Sequence, residues 1–278
     1  MNKTAKTAAR KTVNVLMLVI LAFLTTLPIF WCIITSLKTP QDISAYPPKI
    51  FNFTVTWNNY KQVFAQSFLQ TAGNSVVYSL LTILACLILG YLAAYGFERR
   101  RFPLKKLLFY IVVIGIPLST GSSVLLIPNY LMMMKLHLTN HWYTLPLLYT
   151  AYNLPLVIWM LISGVRGLPY EEAARIDGCS QFYIITRIIP PVIRPSFAAA
   201  ALFAFIGAWN EFITATVMVN GYALKNIQMA IFDYIGFFGQ EWGPLCGAAT
   251  LAIIPILLVF TFLGKQLVSG LTAGAVKG

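Results

Sequence analysis

Apolar runs of about 20 residues recur along this chain, separated by short polar segments in which the basic residues cluster. A helix rising about 1.5 Å per residue crosses a hydrocarbon layer of about 30 Å in such a run. The pattern predicts six spans, at residues 13–36, 74–97, 107–128, 143–163, 197–219 and 244–264. The expected fold class is therefore an all-α polytopic membrane protein with six transmembrane helices. Residues 1–278 form a single transmembrane domain, and both termini lie on the same side of the bilayer.

Composition agrees with the pattern and excludes other classes. Of 278 residues 58% are hydrophobic and only 10% are charged, against about 25% charged in an ordinary soluble domain. The formal charge of +12 would suggest nucleic acid only on an exposed basic face, and here the basic residues sit between apolar runs. Splitting them by side gives the charge a meaning. With the N-terminus inside, fifteen of the twenty Lys and Arg residues are cytoplasmic, and only Lys38, Lys49, Lys61, Lys135 and Lys225 lie outside. This asymmetry fixes the orientation by the positive-inside rule. The start, MNKTAKTAARK followed by Val13 to Trp31, superficially resembles a secretory signal, but the run is too long and no small-residue cleavage site follows, so an uncleaved first span is expected. Cys32, Cys86, Cys179 and Cys246 are widely spaced and form no CxxC pair, which argues against a disulfide framework or a zinc site.

Several connections carry their own signals. Residues 37–73 contain YPPKIFNFTVTWNNYKQVF, read as an interfacial loop with a short surface helix. FERRRFPLKK, residues 97–106, reads as a topology anchor in preference to a lipid-headgroup site. The third span contains Pro117, Gly121 and the hydroxyls of Ser119, Thr120, Ser122 and Ser123. Broken backbone there must be buried or line a cavity, so these residues either border a translocation path or bond back to their own helix and permit close packing.

The inside loop, residues 164–196, is the most informative stretch. Pro169, then Glu171 and Glu172, then Gly178 mark the start, first turn and end of a helix of about ten residues, roughly 15 Å long. Tyr170, Ala173, Ala174 and Asp177 recur at i, i+3, i+4 and i+7, a narrow face whose alanines allow another surface to approach. Ser180 can cap a second helix, QFYIITRII, which Pro190 and Pro191 stop.

On these residues the chain resembles the membrane permease subunits of ABC importers. Their cytoplasmic loop carries EAA, two residues and DG, then an apolar pair and proline, here Glu172 to Gly178 and Ile188, Ile189, Pro190, with Cys179 and Ile189 as small departures. The tail Leu267 to Gly278 and the segment AWNEF, Ala208 to Phe212, resemble the carbohydrate-importer branch similar to the smaller membrane subunit of the maltose transporter. The resemblance implies a type I importer fold in the bacterial inner membrane. It implies as partners a homologous second permease, two ATP-binding subunits and an extracytoplasmic solute-binding protein. It also implies that Glu171, Glu172, Ala173, Ala174, Asp177 and Gly178 dock on an ATPase, which Lys277 and Gly278 of the tail contact as well. The outside loop Asn220 to Trp242, with Asp233, Phe237, Phe238 and Glu241, would face the solute-binding protein. ATP and magnesium belong to the partner ATPase, with no cofactor bound by this chain. The cargo implied is a carbohydrate, with uronate oligosaccharides, polyols and glycerol phosphate as relatives of the same branch.

Glu211 is the one acid placed within a span, and such a carboxylate costs a few kcal/mol to hold there. Trp209, Asn210 and Glu211 either face the translocation path, Trp209 stacking on a sugar ring while the amide and carboxylate bond hydroxyls, or Asn210 and Glu211 tie this helix to its neighbours or fix a gate. No GxxxxGK[ST] phosphate loop occurs, so the energy must come from another chain. His137 and His141 have helical spacing but no third ligand, and no HExxH or paired intramembrane aspartates suggest an enzyme. A self-sufficient channel or ion-coupled carrier would need relay residues, for which only Glu211 is available.

Overall fold

The computed structural model describes residues 3–120, 122–236 and 239–275, with side chains described over 11–117, 125–236 and 239–264. Gly121, Phe237, Phe238, Lys277 and Gly278 lie outside the described residues, as do the side chains of Ser119, Thr120, Ser122 and Ser123.

The regular structure of the described residues is helical except for a two-stranded hairpin. In order come α1 (Lys3–Ser36), α2 (Pro40–Ile43), α3 (Asn58–Ala65), α4 (Phe68–Arg99), α5 (Lys105–Thr120), α6 (Ser122–Lys135), α7 (Thr144–Val165) and α8 (Tyr170–Ile176). The chain continues through α9 (Gln181–Tyr183), a π-helical stretch Ile184–Ile188, α10 (Ile189–Val192), α11 (Arg194–Trp209), α12 (Ile213–Met218), a 3-10 turn Tyr222–Leu224 and α13 (Ile227–Phe232). Strands β1 (Ile235–Gly236) and β2 (Gly239–Gln240) pair antiparallel before α14 (Trp242–Ala275).

Among the described residues four helices are long and apolar enough to cross a membrane: Lys11–Ser36, Phe68–Arg99, Thr144–Val165 and Trp242–Gly264. A fifth crossing is available if Gln181–Val192 and Arg194–Trp209, bent by 79°, act together. The chain is thus a multi-pass membrane protein. The expected third span falls on α5 and α6, and the expected fifth on α11 and α12, broken at Asn210–Phe212. Each of these four is shorter than the about 20 residues of a full crossing.

The described residues fall into two compact units. One comprises Met1–Phe68 with Ile231–Ile253. Within it the end of α1 is closed by Asn59, whose Nδ2 donates at 2.9 Å to the carbonyl of Ser36, a group that the helix leaves open, and at 2.9 Å to that of Lys38 just beyond it. Ser36 and Tyr60 share a hydroxyl contact of 2.7 Å, and Gln62 donates to Glu241 at 2.5 Å. The expected surface helix is α3.

The other unit comprises Leu69–Ala230 with Ile254–Gly278, and its core centres on α7. Val157, Leu161 and Val165 on α7 are fully buried. Lipid offers apolar side chains as good an environment as protein does, so the contacts between these helices depend on close packing, and small residues make it possible. A Cβ on Gly90 of α4 would lie 2.7 Å from Val157 Cγ1, and one on Gly115 of α5 would lie 3.1 Å from Pro155. Gly207 of α11 faces Asn153 in the same way. The valine is stiff at χ1 and cannot swing aside. Gly90→Ala is therefore expected to destabilise the protein by about 1–3 kcal/mol, read as a lower thermal midpoint in detergent. Adding Val157→Ala should recover part of the loss, and an unchanged midpoint in the single variant would refute this packing.

Candidate functional site

The loop after α7 begins with a turn at Gly167, whose φ of +70° favours glycine, and Pro169 precedes α8. The helix spans seven residues rather than about ten. Asp177 is its cap and Gly178, at φ +79°, turns the chain. The Ser180 hydroxyl then accepts the Tyr183 amide at 3.3 Å, the expected cap of the second helix. That helix does not stop at the proline pair. Pro190 and Pro191 lack amide donors, the ladder widens to π spacing just before them, with the Ile189 amide donating to the Ile184 carbonyl, and helix persists to Val192.

The short helix is anchored by a carboxylate. Glu171 Oε1 accepts the Tyr95 hydroxyl and Arg175 Nη2, each at 2.6 Å, and Oε2 pairs with Arg99 Nε at 2.7 Å. Arg99 Nη2 also donates to the carbonyls of Val165 and Leu168 at 3.3 and 3.2 Å, fixing the end of α7. Gln181 joins from the second helix, accepting from Arg175 at 2.9 Å and donating to the Tyr95 hydroxyl. The Tyr91 hydroxyl donates to the Ile185 carbonyl at 2.7 Å. Burial raises the pKa of the Glu171 carboxyl, but the Tyr95 hydroxyl and the Arg99 and Arg175 charges more than offset this and hold it below its ordinary value. The Glu171 charge, in turn, raises Arg175.

This arrangement revises the expected docking face. Glu171, 4% exposed, and Ala174 turn inward, Ala174 joining the buried apolar cluster that includes Ile184 and Ile189. Tyr170, Glu172, Ala173, Ile176 and Asp177 remain outside, and Ile176 is 87% exposed. The pattern therefore divides into an inner anchor and an outer surface, because one turn of helix cannot present adjacent alanines to the same side as its neighbours. Arg99, expected to act only as a topology anchor in the basic turn, is a structural partner of the loop. Nothing in FERRRF marks which arginine has this role.

A cleft of about 520 Å³ lies between α7 and the break after α11, lined by Tyr149, Tyr152, Asn153, Asn210, Glu211 and apolar neighbours. Trp209 does not line it: it is 1% exposed and stacks on Phe205 with centroids 5.4 Å apart. Glu211 uses both oxygens locally, Oε1 accepting the Thr214 amide at 2.7 Å and Oε2 the Ala215 amide at 3.1 Å, so it caps α12. Asn226 ties the same break, donating to the Glu211 carbonyl at 2.6 Å. The Asn210 side chain has no hydrogen-bond partner among the described residues and is exposed at the cleft.

Because Glu171 has a lower pKa folded than unfolded, its anchoring contribution is complete above the ordinary value of 4.5 and is lost as pH falls through the lower folded value. Glu171→Gln should remove this acid dependence and loosen the loop by about 1–3 kcal/mol, read as faster amide exchange across residues 171–177. Exchange unchanged from the parent would show that the anchor is dispensable.

Residues 86–272 match the family described as binding-protein-dependent transport system inner membrane component. The sulfoquinovosyl glycerol transport system permease protein SmoH of Agrobacterium fabrum is 32% identical over 90% of this chain and 88% of its own length. The trehalose/maltose transport system permease protein MalG of Thermococcus litoralis is 31% identical over 94% of each. Among solved structures, a bacterial ABC transporter involved in the import of the acidic polysaccharide alginate superposes with a TM-score of 0.78 at 19% identity, covering 96% of this chain and 99% of that one.

Proposed function

The chain belongs to the binding-protein-dependent transport system inner membrane components, and from that premise we propose that it is the permease subunit of an ATP-driven carbohydrate importer in a bacterial inner membrane. Relatives whose names refer to sulfoquinovosyl glycerol and to trehalose and maltose favour a glycan cargo of one or a few sugar units. In this reading the chain pairs with a homologous permease, receives cargo from a solute-binding protein and draws energy from two ATPase subunits, which hold the ATP and magnesium. The six-span layout, with both termini and residues 164–196 in the cytoplasm, is part of the proposal and is supported by the distribution of basic residues.

The observation that carries the reading is the division of α8. Its inner side is locked to α4 through Glu171, while Glu172, Ala173 and Ile176 project. A knob fixed at its base and free at its tip transfers displacement of a docked ATPase to the spans. Glu172 offers a carboxylate to a basic group, Ala173 allows close approach and Ile176 provides apolar area. Lys277 and Gly278 add a tail contact to the ATPases. The cleft at Asn210 is the proposed path, and Glu211 acts there as a helix cap that shapes it. The cleft lining includes no Lys or Arg, which favours a neutral polyhydroxylated cargo over a uronate or phosphate. An ion-coupled carrier is less well supported, since Glu211 is already engaged by two amides.

In proteoliposomes holding the complete complex, Glu172→Lys should lower ATP-dependent sugar uptake by about tenfold or more and weaken ATPase retention during purification. The outer-face variant Ile176→Asp should act in the same direction. Uptake and assembly at parental levels in both would overturn the docking assignment. Sugar uptake by this chain alone, without ATPase, would overturn the importer reading itself.

A further inference from the structure

The compact unit formed by Met1–Phe68 and Ile231–Ile253 contains a second cavity, of about 340 Å³, remote in sequence from the coupling loop. One wall is a single face of α1, with Pro28, Trp31, Cys32 and Thr35 at helical spacing, and another is Trp242 and Cys246 of α14. The connection after α1 closes it with Lys38, Asp42 and Lys49.

The charges in this cavity are not balanced. Asp42 is fully engaged: it accepts from Lys49 Nζ at 2.5 Å, from the Thr54 amide at 2.9 Å and from the Thr39 hydroxyl at 3.0 Å. The hydrogen bond from Lys49 and the amide of Thr54 together hold its carboxyl at about 2. Lys38 is left over. It is 2% exposed, and among the described residues its ammonium has no ion-pair or hydrogen-bond acceptor. It rests instead over the Trp31 ring, 4.6 Å from the centroid, with the Phe53 ring at 5.3 Å. Burial draws its pKa below the ordinary lysine value, and Asp42 offsets this only partly. A buried cation supported by two aromatic rings retains unused donors and a net positive charge toward the cavity.

The position of the cavity indicates which anion fits. Lys38 follows the end of the apolar helix Lys11–Ser36 by two residues, and Trp31 and Trp242 lie at helix ends, where tryptophans sit at headgroup depth. Below them Pro28, Cys32 and Cys246 continue the cavity toward the stretch of α1 where Leu24 and Leu27 are exposed. A ligand with an anionic head and an apolar chain matches both ends. We propose that this cavity binds the phosphate of an anionic phospholipid, with Lys38 as its cation, Trp31 and Trp242 as its flanks and the α1 face as the bed of an acyl chain. A choline lipid has the same phosphate, but its own quaternary ammonium competes with Lys38 for that charge, so it should bind more weakly than a net anionic lipid. The proposal rests on the chain spanning a membrane and is independent of the sugar and of ATPase docking.

The test titrates the purified complete complex, in detergent, with dioleoylphosphatidylglycerol and, in separate arms, with dioleoylphosphatidylcholine and inorganic phosphate, counting retained lipid by native mass spectrometry. The parent and Lys38→Arg should retain phosphatidylglycerol. Lys38→Met should lose about tenfold in apparent affinity, and Lys61→Met, at an exposed lysine of the same unit, should lose none. Phosphatidylcholine should bind more weakly throughout. Equal retention by Lys38→Met overturns the site, and displacement of phosphatidylglycerol by inorganic phosphate overturns a lipid in favour of a soluble anion. Should Lys38→Met fail to assemble, the parent's thermal midpoint decides: a rise with phosphatidylglycerol but not phosphatidylcholine supports the site, and equal responses overturn it. None of these readouts requires transport, so failure here is separate from failure of the importer reading.

Discussion

Close approach of neighbouring helices to α7 is the constraint on which the larger unit depends. Water cannot drive one apolar helix onto another inside a bilayer, so the helices hold together where their backbones come near enough for dispersion contacts. Glycines on α4, α5 and α11 meet Val157, Pro155 and Asn153 along one helix. What α7 positions follows from this. Its midsection supplies Tyr149, Tyr152 and Asn153 to the cleft, and its end, held by Arg99, launches the loop that carries α8.

Two carboxylates near the membrane illustrate how the same chemistry serves different purposes. Glu171 is placed between two guanidinium groups and a phenol, where its full charge fixes a short helix that could not stand alone. Glu211 is placed at a break in a helix, where two amides would otherwise be open, and its charge stabilises the start of α12. Both are architectural. The adjacent polar groups, Glu172 and Asn210, are exposed instead, projecting from frames that their neighbours hold. Lys38 is a third kind of buried charge, supported by rings and with no ion-pair partner among the described residues.

Sequence and structure agree where the physics is one-dimensional. Hydropathy places the long spans because length and apolarity alone decide whether a helix can cross lipid, and α1, α4, α7 and α14 lie where expected. Ser180 and Gly178 are readable as punctuation because capping and positive φ are local. The rotation of α8 was not readable: Glu171 and Glu172 are chemically identical neighbours, and Arg99 and Tyr95, 72 and 76 positions away from Glu171, hold the one that turns inward. The same holds for Trp209, whose aromatic ring suggested a sugar platform and which stacks on Phe205 because the helix turns that face into the core.

The amino-acid sequence by itself therefore determined the class of the molecule, its four long apolar helices, the family motif and the loop that carries it, because each depends on a run or a spacing within a short window. Tertiary structure decided which acid anchors and which projects, that the break after α11 is capped by Glu211, and that Lys38 is buried with no ion-pair partner among the described residues. Those outcomes depend on which side chains from distant segments share a few ångströms, and that proximity is set by helix packing.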